Sequence, residues 1–348
     1  MPCAIINDRG VVQLEGVRGF SPGEYADSIH GAEARILQAL DEPMTYDDLV
    51  GYSGFAFRAN IHNAMCPSGG HPCRGYPCVD NAIRARPRRA RPFLAFPWEP
   101  PKPDPLAWQA EARAAIVASI DRGIPVHYGS EEDGLIIGYA EEGRRWHCVH
   151  PYHKWGAETF WHDEVGGFAG GKWPWAITVW LEPKPPHERA DPCELARIAL
   201  KQAVDMWRTD ARGDYFCGDA AYDRWLEWLR GVDAGDVDNP KAGMQGNGWC
   251  LDVLNHCRPI ASRWLEKHAG LFDQHAGDRL RRAAAHYARI APLLIEGYGC
   301  PWTLAPGPDK LDDWTPEMRK TQIARLEAAR ELDARAIAEI EAALASMQ

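Results

Sequence analysis

Between residues 29 and 40 apolar side chains recur at steps of three and four (Ile29, Ala32, Ile36, Leu37, Leu40), the spacing that gathers them on one face of an α-helix. Upstream, Ser21-Pro22-Gly23-Glu24 supplies a cap residue, a proline suited to the first helical turn and a glutamate three residues past the cap. The helix is therefore expected to begin at Pro22 and to end at Asp41-Glu42-Pro43. Thr45 is expected to cap a short second helix over 46–50, stopped by Gly51. Ser53-Gly54-Phe55-Ala56-Phe57-Arg58 alternates phenylalanine with small or polar residues and predicts a strand. Helical spacing returns from Pro105 to Asp121. Strands are expected at 124–128, 134–139 and 146–150, the last two joined by the charged turn Glu141-Glu142-Gly143, and another at 175–181.

Two stretches interrupt this pattern. Residues 66–105 are rich in Pro, Gly, Arg and Cys and have no sustained period, which predicts an irregular insertion of a length compact domains seldom carry. Glu182-Pro183-Lys184-Pro185-Pro186 reads as a boundary. Beyond it Asp191-Pro192-Cys193-Glu194 repeats the cap, first-turn proline and glutamate arrangement. Helices are expected from there to about 207, at 219–231, 248–268 and 276–296, and from Thr315-Pro316-Glu317 onward. The fold class is thus α+β: a domain over 1–186 with an antiparallel sheet and an insertion at 66–105, then a helical domain over 187–348.

Charge narrows the choice of partners. A net charge of −10 over 348 residues does not suit a nucleic-acid backbone, which needs a concentrated basic surface to displace counterions. The one basic run, Arg84-Ala85-Arg86-Pro87-Arg88-Arg89-Ala90-Arg91, is broken by proline and is expected to be a solvated loop. No apolar run is long enough for a bilayer and the start lacks a signal-peptide pattern, so the expected location is the cytoplasm and no membrane partner is assigned. The ten cysteines are expected to be free thiols there. Cys66, His71, Cys73 and Cys78 offer four soft donors, but not the close Cys-x-x-Cys pairs of zinc sites. The cluster His147, Cys148, His150, His153, His162 falls largely on one strand, so neither a metal nor another cofactor is assigned. Gln245-Gly246-Asn247-Gly248-Trp249-Cys250 is read as a helix start with Asn247 as cap and Cys250 as packing.

The order of helix, short helix, glycine and strand, carried by Leu49-Val50-Gly51-Tyr52-Ser53-Gly54-Phe55-Ala56-Phe57-Arg58, Arg122-Gly123-Ile124-Pro125-Val126 and Gly134-Leu135-Ile136-Ile137-Gly138-Tyr139, resembles the papain-like domain of bacteriocin-processing cysteine peptidases. More closely it resembles the N-terminal domain of the family named after the butirosin-biosynthesis protein H acyltransferase, whose members often carry a helical C-terminal domain. The resemblance implies a papain-like fold, acyl or amide chemistry on a small molecule or peptide, and an acyl carrier protein as candidate donor. It places Ser28 where the peptidases have a cysteine on the first helix, about Glu132 where they have histidine, and His150 where they have the aspartate before proline. The glutamine upstream is missing, and a helix beginning at Pro22 would put Ser28 some way inside.

Two outcomes stay open on these residues. Ser28, His150 and Glu132 or Asp133 form a rearranged catalytic set, since such a set is defined by geometry and not by chain order. Alternatively the papain-like site is catalytically inactive and binds a small molecule. Ser53, Phe57, Arg58 and Tyr139, which sit in the motifs that carry the resemblance, are assigned to substrate binding. A homo-oligomer is compatible with either outcome.

Overall fold

The computed structural model describes residues 2–130, 132–163 and 173–347 of the chain. It begins with a hairpin that the apolar pattern does not announce, β1 (Ile5–Asp8) and β2 (Val11–Leu14), turned at Arg9-Gly10 with φ of 49° and 81°, the left-handed pair that suits a two-residue hairpin. α1 (Ser28–Ala39) starts later than the spacing predicts. Asp27 is its cap, accepting from the backbone N–H of His30 at 2.8 Å, while the carbonyl of Ser21 accepts only a turn bond from Glu24. The capping-box residue Glu24 instead pairs with Arg35.

α2 (Tyr46–Ser53) runs through Gly51, because the indole of Trp264 lies where a Cβ would be, 2.1 Å away, and only glycine admits that contact. Gly54, at φ 81°, then breaks the chain into a single 3₁₀ turn over Phe55–Phe57, so the expected strand 53–58 is absent; the strand comes afterwards as β3 (Asn60–His62). α3 (Asp80–Ala85) and β4 (Arg88–Leu94) occupy part of the stretch expected to be irregular. Nor is the basic run a loop: it spans the end of α3 and the start of β4, with Arg84, Arg89 and Arg91 still exposed. Arg86 pairs with Glu33, Arg88 with Glu42, Arg89 with Glu182 and Glu188, and Arg91 with Glu111, which neutralises the run in place.

α4 (Pro105–Ile120) is followed by β5 (Val126–Gly129), β6 (Asp133–Ala140), β7 (Arg145–Val149), β8 (Phe160–Asp163) and β9 (Ala176–Pro183). Then come α5 (Pro192–Arg208), the short strands β10 (Ala211–Arg212) and β11 (Tyr215–Cys217), α6 (Gly218–Ala234), α7 (Pro240–His268), α8 (Gln274–Ala288), α9 (Ile290–Ile295), α10 (Pro301–Leu304) and α11 (Pro316–Ser346).

The chain is α+β and divides into two compact units, Met1–Tyr46 with Arg86–Arg189, and Asp47–Ala85 with Ala190–Gln348. This differs from a single cut at 186/187, because residues 47–85 belong with the C-terminal helices. In the first unit an antiparallel sheet runs β1-β2-β6-β5-β9-β4, with β7 on the other side of β6 and β8 beyond it. Its core joins Ile116 and Ile120 of α4 to Val126, Ile136, Trp146 and Val179 of the sheet. The second unit is helical but also holds a small sheet, β10-β11-β3, which the helical spacing after 187 does not predict. No helix among the described residues is long and apolar enough to cross a membrane.

Candidate functional site

Ser28, Glu132, Asp133 and His150 all lie in the first unit. Because Asp27 is the cap, Ser28 is the first residue of α1, not an interior one, and is 8% exposed. The β5–β6 hairpin brings the carboxylates to it: Ser28 Oγ donates to Glu132 Oε2 at 2.5 Å and accepts from the backbone N–H of Asp133 at 3.0 Å. β7 pairs antiparallel with β6, Val149 opposite Leu135, which carries His150 to the end of β6 where Asp133 begins.

The His150 ring does not complete a relay. It hydrogen-bonds the Glu132 backbone, its Nδ1 accepts from the N–H of Tyr152 at 3.2 Å, and among the described residues Ser28 makes no hydrogen bond to an imidazole. Burial pushes the His150 ring below its ordinary pKa against the opposing pull of Asp133, so the ring is neutral near pH 7.

A second imidazole, not singled out by sequence, is better placed for a carboxylate. His127 Nε2 lies 2.8 Å from Asp133 Oδ1, both side chains more than nine-tenths buried. Gly129 makes the pairing possible, since a Cβ there would come within 2.2 Å of Asp133 Oδ1. The signal was present in the sequence as His127 and Asp133 flanking a tight strand connection, the cross-hairpin geometry in which a polar pair meets.

Behind Ser28 the polar chain continues inward. His30 Nδ1 sits 3.0 Å from both oxygens of Asp27, and the Tyr46 hydroxyl donates to Asp27 Oδ2 at 3.0 Å. Burial alone would raise the Asp27 carboxyl, but the His30 ring and these hydrogen bonds hold it below the usual range; burial would lower His30, and Asp27 holds it above. Glu33, one turn further on, is buried and paired with Arg86, whose charge outweighs desolvation and keeps that carboxyl low.

Of the proposed substrate-binding residues one is in the first unit and three are in the second. Tyr139 is on β6, six residues and so about 20 Å along the strand from Asp133, and its hydroxyl donates to Asp121 at 2.7 Å. Ser53, Phe57 and Arg58 belong to the second unit and are buried in it. Ser53 Oγ donates to the Val50 carbonyl at 2.8 Å, and Phe57 packs against Trp264 and Tyr287. Arg58 donates to the carbonyls of His71, Gly69 and Arg74 at 2.6–2.9 Å. Each of the four thus makes structural contacts within its own unit.

That guanidinium also explains the loop 66–78. A buried cation binding three carbonyls gathers it, and among the described residues no group of three or more His, Cys, Asp or Glu side chains is placed to hold a metal. The histidine cluster is spent on aromatic packing, His147 stacked on Trp161 at 4.7 Å and His153 and His162 each 4.4 Å from Phe160. All ten cysteines are free thiols. Asn247 is not a cap: α7 begins at Pro240, and Asn247 is buried inside it, its Oδ1 accepting from the Trp225 indole at 2.6 Å and from Gln322 at 2.7 Å. Burial pushes the Cys250 thiol up to about 12, which leaves it protonated and unreactive. The second unit also contains a cavity of about 20 Å³ bordered by Arg58, Asn60, Tyr222 and Cys250, room for a single water.

No protein-family model matches this chain, and no curated protein matches it.

Proposed function

We propose that the first unit is a papain-like domain that binds a small molecule or peptide at Ser28, Glu132 and His150 without cleaving it. The observation that carries this reading is the hydrogen-bond accounting at Ser28. Its hydroxyl donates to a carboxylate and accepts a backbone amide, while His127 is committed to Asp133 and His150 to backbone groups. Carboxylates, with ordinary pKa near 4, are far weaker bases than imidazole near 6.5, and a serine needs a neighbouring base to attack. The domain keeps the shape of a nucleophile site with its base removed.

A second reading, acyl or amide chemistry of the kind the butirosin-type resemblance implies, is favoured by one feature. Ser28 is the first residue of a twelve-residue helix, where the positive end of the dipole stabilises an oxyanion. An acyl carrier protein would be the partner in that case. Under either reading the expected setting is the cytoplasm with no nucleic-acid partner, supported by the ten free thiols and the net charge of −10.

Treatment with a fluorophosphonate and, separately, with p-nitrophenyl acetate separates the two. The expected result is an unchanged intact mass and no burst of nitrophenol. An adduct that tandem mass spectrometry maps to Ser28, absent in Ser28→Ala, would replace the binding reading with the catalytic one.

A further inference from the structure

The Arg58 guanidinium is 3% exposed in the second unit, and among the described residues no carboxylate pairs with it. Its Nη1 donates to the His71 carbonyl and its Nη2 to the carbonyls of Gly69 and Arg74, while Nε has no acceptor among the described residues. All three acceptors are neutral, and so is the Phe55 ring that lies 5.5 Å from the guanidinium. Arg258, which donates to the Arg58 carbonyl at 3.0 Å, is matched by Asp333 at 2.6 Å and brings no spare carboxylate. Two guanidinium groups against one carboxylate leave a positive charge in excess.

Nearby thiols do not make up the difference. Burial pushes Cys250 up to about 12 and raises Cys217, and in both it outweighs the pull of Arg58 toward the thiolate, so near pH 7 each stays a neutral S–H. A desolvated cation is stable only where charge or oriented dipoles face it, and three carbonyls occupy three of the five guanidinium N–H groups.

Arg58 also has room beside it. With Asn60, Tyr222, Cys250, Val253 and Leu254 it borders the cavity of about 20 Å³. One small sphere needs roughly 10–15 Å³ of such space, so the cavity admits a single atom-sized guest and is too small for a phosphate or a carboxylate-bearing molecule. Other polar atoms of the wall are already engaged: the Tyr222 hydroxyl donates to Asp333, Asn60 Nδ2 donates to the Gly69 carbonyl, and Asn60 Oδ1 accepts from the Cys217 thiol at 3.3 Å. The cavity therefore offers a donor in a positive field. A water would satisfy Nε but would leave the charge in excess, whereas a monatomic anion does both.

We infer that this cavity is a halide site, taking one chloride ion against Arg58 Nε. The inference is independent of the reading of Ser28, since every residue in it belongs to the second unit. Chloride accepts a charge-assisted hydrogen bond from Nε, and the apolar side chains of Val253 and Leu254 favour an ion that sheds its water readily, as chloride and bromide do and fluoride does not. Because the same guanidinium gathers the 66–78 loop, the bound ion helps to hold that loop.

The test titrates sodium chloride into the full chain in sodium gluconate at constant ionic strength and follows the chloride NMR linewidth. The protein is expected to broaden the line saturably, and bromide to reverse the broadening. Crystals grown in sodium bromide should show an anomalous peak within hydrogen-bond distance of Arg58 Nε. Arg58→Met should weaken chloride binding at least about tenfold, the worth of a hydrogen bond to a charged group. Cys250→Leu keeps the guanidinium and narrows the cavity, so it should weaken binding as much, and it decides the matter if Arg58→Met does not fold. An absence of saturable broadening by the parent overturns the inference whatever the crystals show. So does full broadening in a folded variant of either kind, or bromide found only on the surface with a water at Arg58 Nε.

Discussion

Replacing Asp333 by Asn is expected to destabilise the second unit by about 3–5 kcal/mol, the cost typical of leaving one partner of a buried ion pair uncompensated. Both side chains are essentially inaccessible, Arg258 at 0% and Asp333 at 1%. The guanidinium makes two parallel bonds to the carboxylate, Nε to Oδ1 at 2.8 Å and Nη2 to Oδ2 at 2.6 Å, while Nη1 donates to the carbonyls of Ala56 and Arg58 at 3.0 Å each. The Tyr222 hydroxyl also donates to Asp333, at 2.6 Å, so the substitution disturbs three hydrogen bonds at once. The measurement is the urea midpoint of the second unit, where a slope of about 2 kcal/mol per molar converts that loss into a shift of about 2 M. The double variant Arg258→Met with Asp333→Leu should recover much of the loss, since apolar replacements of such pairs are often neutral. Arg330→Met, which removes a half-exposed guanidinium paired with Asp219 and Asp223, should stay within about 1 kcal/mol. A loss from Asp333→Asn no larger than that from Arg330→Met would show that the buried pair contributes nothing special.

Periodicity found the elements whose apolar stripe is long: α4 to α6, α11, and the strands β5 to β7 and β9 lie where spacing puts them, to within a few residues, while α7 starts eight residues before its expected start and α8 stops at Ala288, short of 296. It failed where a single contact decides. Gly51 reads as a helix stop, yet α2 passes through it because an indole from α7 needs the missing Cβ, a fact no local window contains. Ser21 and Asp27 are both competent caps followed at the right distance by suitable residues. The choice falls on Asp27 because its carboxylate also meets the His30 ring and the Tyr46 hydroxyl, the latter nineteen residues away. The basic run reads as solvated because its partners Glu33, Glu42, Glu111 and Glu182 are scattered along the chain.

The site was legible in part for the same reason. Ser28, Glu132 and His150 were placed by the family resemblance, with Asp133 beside Glu132, and the register of β5, β6 and β7 brings the carboxylates and His150 to one end of the sheet. Whether His150 faces Ser28 depends on which backbone groups claim its two nitrogens, and that is settled by the 150–156 turn, where the left-handed Lys154 and Trp155 are not glycines and so leave no mark in the sequence. Arg58 was drawn into the substrate list by its position in a motif, while its donors bind the carbonyls of a loop whose own backbone bonding is one 3₁₀ turn and isolated turn bonds.

Glu33→Gln tests the layer beneath the site, and its effect should depend on pH in a definite direction. Glu33 is on α1 and Arg86 immediately precedes β4, so their pair ties the helix that presents Ser28 to the sheet edge; the side chains are 2% and 10% exposed, and the Arg86 guanidinium lies 5.4 Å over the Trp180 ring. Burial would raise the Glu33 carboxyl, but the Arg86 charge and hydrogen bonds overcome it and leave the folded-state pKa below the ordinary 4.5. A carboxyl depressed in the folded state contributes stability above its unfolded pKa and loses it as the pH falls through the folded value. At pH 7 the variant should therefore be less stable than the parent by about 3 kcal/mol, because a buried guanidinium is left facing an uncharged amide. As the pH falls from the ordinary 4.5 toward the folded value the parent loses this contribution, because its own Glu33 comes to take up a proton and to resemble glutamine in charge, so the difference between the two proteins should shrink. Urea unfolding of both proteins at pH 7 and pH 3 measures this, and subtracting one from the other cancels the remaining carboxylates of the first unit, which titrate equally in each. A gap that stays constant across that range would mean that shape, and not the Glu33 charge, is what holds α1 against the sheet.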